Sequence, residues 1–489
     1  MLALRHRSTL GAAQAHCRDG KRNVDRPGSG SLALDRRSTP LFMRHTSQIA
    51  IVGAILAIAA ALARNNGEYD NIGLVFVAIA LALATAAALN LRIPIVEEYG
   101  KQSVRWAIAV AVVVESVLFF VQPIFSATMP RWIVPATAFL LCISALVAIL
   151  GPWPPGNALA WLFVGTVFVF GAVTVHAHDR FVVDVRLFQH VGAQALLRGV
   201  DPYIVRYPNI YSRHFYGADN VGADGLLKVG FIYPPLIAFL GIPGVILGDV
   251  RFSHVLAMTG AAAALGFARP GRIAIGGVAL FALMPRTVFF LAGGWSEPMS
   301  ILLLCWTVWA AVHQAPRTTG LLAGLLVASK QYLLVSIPLL WLLAPEHRNR
   351  ARIGLAALLA ALVVTVPLAL WHPAEFFNSV VGFHMRQPFR IDSLSFMAAF
   401  ARNTGAEPSR LAALIVIIVI GAASVVLAHR SPKTPSAFAL SVALVVLGLF
   451  AFSQQAFVNY YVLAYAALCA ALATSSPNVP ENRLCRITK

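Results

Sequence analysis

The residues able to do chemistry are few and concentrated. The chain has 489 residues but only 20 Asp and Glu, and five of these acids (Asp179, Asp184, Asp201, Asp219 and Asp224) lie in the single segment 176–230. Asp179 closes the run His176-Ala177-His178-Asp179, and Asp184 opens a stretch whose apolar residues recur at three- and four-residue spacing. A carboxylate so placed serves either as a general base for a hydroxyl or as the acid of a helix first turn. The residues alone leave both roles open. His176, His178 and Asp179 are metal-ligand types, but His-x-His-Asp without further ligands is a weak signal, and no metal is expected. The cations are equally sparse. Lys330 stands about twelve residues into an apolar run, where a charge must pair or face a cavity; a phosphate and an intramembrane acid such as Glu115 are the alternatives. His384, Arg386 and Arg390 gather in one polar loop. Arginine binds phosphate through paired N–H donors, and an ordinary surface loop is the alternative.

The elements that must position these residues are membrane helices. Hydrophobic residues make up 58% of the chain and charged ones 12%, against roughly 45–50% and about 25% in soluble domains. Segments 49–63, 72–91, 159–175 and 411–428 are nearly uncharged and close to spanning length. This excludes a soluble enzyme, a disordered chain and a secreted disulfide scaffold. The net charge of +18 sits in tails and short loops, where it orients helices rather than binding nucleic acid. The five cysteines show no ligand or disulfide spacing.

The expected fold is all-α, a polytopic transmembrane bundle of about 12–14 spans with helices in its extracytoplasmic loops. Residues 1–46 carry nine Lys and Arg against three Asp and read as a disordered cytoplasmic tail; a start at Met43 would leave out most of it. An N-terminal segment of four spans covers 47–150, a second module covers 151–473, and 474–489 is a cytoplasmic tail. Counting spans from an inside N-terminus, with crossings at 231–248, 253–267, 273–291, 298–313 and 319–343, places the basic residues of 346–352 and 429–433 inside. It places loops 176–230 and 372–407 outside. The same count sets Arg269 and Arg272 outside and Trp295-Ser296-Glu297 inside, against their charges. A re-entrant hairpin within 268–297 is the alternative, and the sequence does not choose.

Loop 176–230 holds Tyr203, Tyr207, Tyr211, Phe215 and Tyr216, so it reads as an ordered domain. An amphipathic helix runs from Asp184 to Leu197; Gly199 stops it, and Asp201-Pro202-Tyr203 turns the chain. Asp184-Val185-Arg186-Leu187-Phe188, then Ala195-Leu196-Leu197-Arg198-Gly199-Val200-Asp201-Pro202-Tyr203, then Phe231-Ile232-Tyr233-Pro234-Pro235-Leu236, and later Ser329-Lys330-Gln331-Tyr332, form an ordered set. This set resembles the polytopic C-type (GT-C) glycosyltransferases, in particular glycosyltransferase family 87 and its mannosyltransferases fed by polyprenyl-phosphate mannose. The resemblance covers about 157–470. The four spans of 47–150 depart from it, but their even number preserves the orientation of the loop.

The resemblance implies a GT-C fold and an integral membrane hexosyltransferase. It would move a hexose, mannose being the expected one, from a polyprenyl-phosphate sugar to a lipid or glycan acceptor. Transfer would invert the anomeric centre on the extracytoplasmic side of the plasma or inner membrane. Asp184 is the implied base, with Asp179 as its nearest rival. Lys330, His384, Arg386 and Arg390 are the expected substrate-binding residues on the phosphate side, together with Tyr203 and Tyr233; no cofactor and no nucleic acid are expected. Glu297 resembles outer-loop acids of related transferases, but the span count sets it inside and it stays outside the expected site. A transporter or lipid flippase without transferase activity is the rival reading.

Overall fold

The computed structural model describes residues 43–121, 128–152, 155–212, 215–344 and 346–475. The expected tails therefore lie outside the described residues, apart from 43–46 and 474–475. Among the described residues there is no strand, only three isolated bridges. The first four helices are α1 His45–Asn65, α2 Asn71–Ala88, α3 Pro94–Phe120 and α4 Ile133–Leu150. The middle of the chain forms α5 Asn157–Ala177, α6 Asp184–Leu197, α7 Pro235–Ile246, α8 Arg251–Gly266, α9 Arg272–Ala282, α10 Thr287–Gly293, α11 Glu297–Val312 and α12 Pro316–Ser329. A 3₁₀ helix covers Gln331–Leu343. After it come α13 His347–Trp371, α14 Pro373–Phe377, α15 Phe383–Arg386, α16 Phe396–Thr404, α17 Arg410–Arg430, α18 Pro435–Ala451 and α19 Val458–Ala473. Side-chain caps fix several starts: Asp70, Ser395, Ser409 and Thr434 each accept a backbone N–H from the first turn of α2, α16, α17 and α18.

Among the described residues, seven helices can cross a membrane by length and composition, or nine if each of two bent pairs is one span. The chain is thus built as a multi-pass membrane protein. The rest of the expected spans are shorter apolar helices. Along α13 and α17 the residues Leu358, Val363, Ile415 and Ile418 stand exposed, which suits contact with lipid and not with water. The described residues belong to one compact unit. α1 packs on α19 and α2 on α18, so the four N-terminal helices belong to the same bundle as the rest.

Tertiary hydrogen bonds show which helix ends lie together. Arg251 at the start of α8 donates to the carbonyl of His178 just past α5, so these two helix ends lie together. Arg272 at the start of α9 meets the carbonyls of Ala148, Ile149, Gly151 and Pro152 at the end of α4. Arg286, before α10, meets those of Leu62, Ala63 and Val121 at the ends of α1 and α3. Asp184, Asn66, Gln455 and Lys330 line one cavity, so the ends of α1, α5, α12 and α18 share one end of the bundle.

Two expected crossings are corrected by this arrangement. Segment 231–248 does not cross: α7 lies along α6, and the chain bends by 106° between α7 and α8. Segment 319–343 runs along the bundle twice, up as α12 and back as the 3₁₀ helix, with Lys330 in an extended conformation at the joint. A 3₁₀ helix rises about 2.0 Å per residue, so its 13 residues reach about 26 Å, where an α-helix would reach about 20 Å. The lost and the gained crossing compensate, so the chain direction after 344 is the expected one. Between them the direction is reversed, which moves Arg269 and Arg272 to the far end and Glu297 to the Asp184 end.

Over that end the two long loops form one layer with its own core, including Phe188, Tyr203, Tyr207, Tyr216, Phe231 and Phe383. The loops are tied by His372 Nδ1 to Asp201 Oδ2 at 2.7 Å, Gly230 N–H to Ser379 Oγ at 2.9 Å, and Arg386 to Asn220 at 2.9 Å. The helix Asp184–Leu197 is present with the expected bounds, and Gly199 follows it at φ +70°.

Candidate active site

Asp184 is the first residue of α6; the preceding Val183 is extended and caps nothing with its side chain. The Asp184 carboxylate accepts the Val185 N–H at 2.8 Å on Oδ1 and the Tyr216 hydroxyl at 2.8 Å on Oδ2, with the Tyr211 hydroxyl 3.4 Å from Oδ1. Burial raises its pKa above the ordinary carboxylate value. The bonds from Tyr216, Val185 and Tyr211 and the nearby positive charge of Arg390 oppose that rise. The Tyr211 phenol is itself pushed up to about 12 by burial and by the Asp184 charge, so it stays a proton donor at neutral pH. A partly desolvated carboxylate oriented by two phenols has the attributes of a general base.

A polar framework bolts α6 to the turn before α11. Gln189 Nε2 donates to the Gly294 carbonyl at 2.7 Å, while His254 Nε2 lies 2.9 Å from Gln189 Oε1. Arg186 reaches the carbonyls of Asp179 and Phe181 and the carboxylate of Asp249. The fully buried Arg251 meets the same Asp249 and the carbonyls of His178 and Ala292. Gly294 adopts φ +69°, and a Cβ there would stand 3.1 Å from Arg251 and 3.2 Å from Arg186. Only glycine suits both constraints. The framework sets Glu297, first residue of α11, in the same cavity as Asp184.

That cavity measures roughly 310 Å³. Its acids are Asp184, Glu297 and Glu68; its cations are Lys330 and Arg390, joined by His384. Tyr211, Phe215, Tyr233, Trp295, Phe457 and Tyr460 supply aromatic walls. Arg390 binds Asp392 through Nε at 2.8 Å and Nη2 at 2.7 Å. Its guanidinium carbon lies 4.6 Å from the ring centre of Phe215 and 4.8 Å from that of Phe457, a geometry that fixes the fork and favours the cation. Lys330 is more enclosed. Its Nζ meets Ser296 Oγ at 2.5 Å and Glu297 Oε1 at 2.9 Å, and stands 4.6 Å over the Tyr233 ring. Asn459 Nδ2 donates to the same Oε1 at 3.1 Å.

Of the residues singled out from sequence, Asp184, Tyr233, Lys330, His384 and Arg390 line the cavity. Asp179 does not: it is exposed, and its backbone carbonyl holds Arg186. Arg386 does not line it either, because its guanidinium is spent on Asn220 and Asn378. Tyr203 is buried behind the wall, donating to the Tyr233 carbonyl at 2.8 Å. Lys330 is not the partner of Glu115, which accepts from Tyr465 instead.

Sequence reasoning excluded Glu297 and missed Glu68 and Asn66. The misplaced charges of Trp295-Ser296-Glu297 were the available signal for the first. Nothing local marked the α1–α2 turn. Among the described residues, no group of three His, Cys, Asp or Glu is placed to hold a metal ion. Compared with models of protein families and with curated proteins, the chain matches none.

Proposed function

We propose that this protein is a membrane glycosyltransferase of the C type that moves a hexose, mannose being the expected one, from a polyprenyl-phosphate donor to a lipid or glycan acceptor. The observation that carries the reading is one cavity, at one end of an apolar bundle, that joins a buried-side carboxylate, Asp184, to Arg390 and His384 between aromatic walls. In this reading Asp184 takes the proton of the acceptor hydroxyl as its oxygen attacks the anomeric carbon. The phosphate departs toward Arg390 and His384, and a single displacement inverts the centre. Lys330, tied to Glu297, contributes to the wall rather than as a free cation.

The active side is proposed to be extracytoplasmic. Arg92, Arg269, Arg272, Arg317, Arg348, Arg350, Arg352, Arg430 and Lys433 stand at or beside the short connections of the end away from the cavity, the distribution expected of a cytoplasmic face. The transporter reading draws on the bent pairs α7–α8 and α9–α10. The break at Arg286, however, lies at the bundle end beside the carbonyls of Leu62 and Ala63 and makes no midplane site.

The test is to incubate membranes that carry the protein, and so its native acceptors, with labelled polyprenyl-phosphate hexoses and, side by side, with nucleotide sugars. Transfer from the lipid donors alone is expected. Transfer only from nucleotide sugars, or none, contradicts the proposal.

A further inference from the structure

Glu297 has no solvent exposure, and its two oxygens are unequal. Oε1 is saturated by Lys330 Nζ and Asn459 Nδ2, whereas Oε2 is buried and has no hydrogen-bond partner. A carboxylate oxygen left without a donor is costly, and folded proteins rarely retain one without a use. Lys330 and Asn459 hold the carboxylate in one orientation, and the Gln189–Gly294 bond fixes the turn that carries it. The residue lines the cavity that holds Asp184, and the aromatic residues Tyr233, Trp295 and Tyr460 line it too. A fixed acceptor beside aromatic faces matches a sugar ring, whose C–H face packs on aromatic carbon while a hydroxyl donates to the carboxylate.

We propose that Glu297 Oε2 accepts a hydroxyl of a hexose bound in the cavity and thereby determines which sugar is taken. The inference rests on the transferase reading and deepens it. The hydroxyl belongs either to the transferred hexose or to an acceptor sugar. Lys330 acts as a positioning residue that holds the Glu297 carboxylate in one orientation. A site built to pair a hydroxyl rejects the analogue lacking it far more strongly than a merely apolar pocket does.

The experiment measures binding to the full chain in lipid nanodiscs, for wild type and Glu297→Gln, independently of turnover. The probes are polyprenyl-phosphate mannose, its four monodeoxy analogues, and methyl mannosides with the corresponding deoxy forms. Wild type should bind one deoxy compound about tenfold to a hundredfold more weakly than its parent, the range of a lost hydrogen bond to a charged group. Glu297→Gln should bind the parent at that weakened level and no longer distinguish the pair. The effect in the lipid-phosphate series assigns the hydroxyl to the donor; in the methyl glycosides it assigns it to an acceptor. Glu297→Gln binding that still discriminates as wild type does, or that falls equally for every compound, overturns this inference alone. Absence of any sugar binding by wild type overturns the transferase reading with it.

Discussion

Lys330 Nζ stands 2.9 Å from Glu297 Oε1, joining the extended residue after α12 to the first residue of α11, with both side chains buried. Removing one member of a buried ion pair leaves an uncompensated charge and costs about 3–5 kcal/mol. Lys330→Met should therefore lower the thermal unfolding temperature sharply. The double variant Lys330→Met, Glu297→Gln should recover much of the loss. If Lys330→Met unfolds like wild type and only weakens donor binding, the lysine is a phosphate ligand and not a structural partner.

Arg390 and Arg386 are four residues apart but differ in surroundings. The first is clamped between Phe215 and Phe457 in the cavity wall; the second ties Asn378 to Asn220. Arg390→Ala should cut turnover on the order of 10²–10³ by loss of a charge facing the departing phosphate. Arg386→Ala should instead loosen loop 372–407, read as faster amide exchange at 215–230, with a smaller change in turnover. Equal kinetic losses from both would show that the wall residue has no special place.

The raised pKa of Asp184 has two consequences of opposite sign. As the proposed base it must be ionised, so activity should rise with pH through a value above the ordinary carboxylate range. Tyr216→Phe removes the bond that most favours the carboxylate and should move that acid limb to higher pH. For stability, a carboxyl with a folded pKa above its unfolded one stabilises the fold below the unfolded value. That contribution is lost as pH rises through the folded pKa. At pH 7 the charge is thus a cost, and Asp184→Asn should leave the unfolding temperature unchanged or higher. An acid limb unmoved by Tyr216→Phe would sink the first statement; a marked drop in unfolding temperature for Asp184→Asn would sink the second.

Asp224 and Arg348 are exposed at opposite ends of the bundle. With Cys17, Cys142 and Cys485 changed to Ser, a cysteine at 224 should react with an impermeant thiol reagent on intact cells, and one at 348 only after permeabilisation. The reverse pattern would put the cavity on the cytoplasmic face and remove the reason for a lipid-linked donor.

Much of this arrangement was legible in the residues. Helix Asp184–Leu197 announced itself through apolar spacing and Gly199. Five of the eight expected site residues line one cavity. What failed had a physical cause. Hydropathy reports length and not direction, so the apolar α7, which lies along α6, counted as a crossing. The α12–3₁₀ turn at Lys330 counted as a single long span, because no glycine or charge run marks the joint. Glu297 was lost to the first of these miscounts. Glu68 and Asn66 could not be found at all, since only tertiary packing brings the α1–α2 turn to the cavity.

Asp184→Asn tests the central claim most directly. The amide keeps the side chain's volume and its bond from Val185 but accepts no proton. The measurement is the initial rate of hexose transfer from labelled polyprenyl-phosphate mannose by purified wild type, Asp184→Asn and Asp179→Asn in nanodiscs. General-base contributions are about 10²–10⁴-fold, so Asp184→Asn should lose at least that order while binding the donor normally. Asp179→Asn, altering an exposed side chain outside the cavity, should stay within a few-fold of wild type. Near-normal transfer by Asp184→Asn contradicts the account.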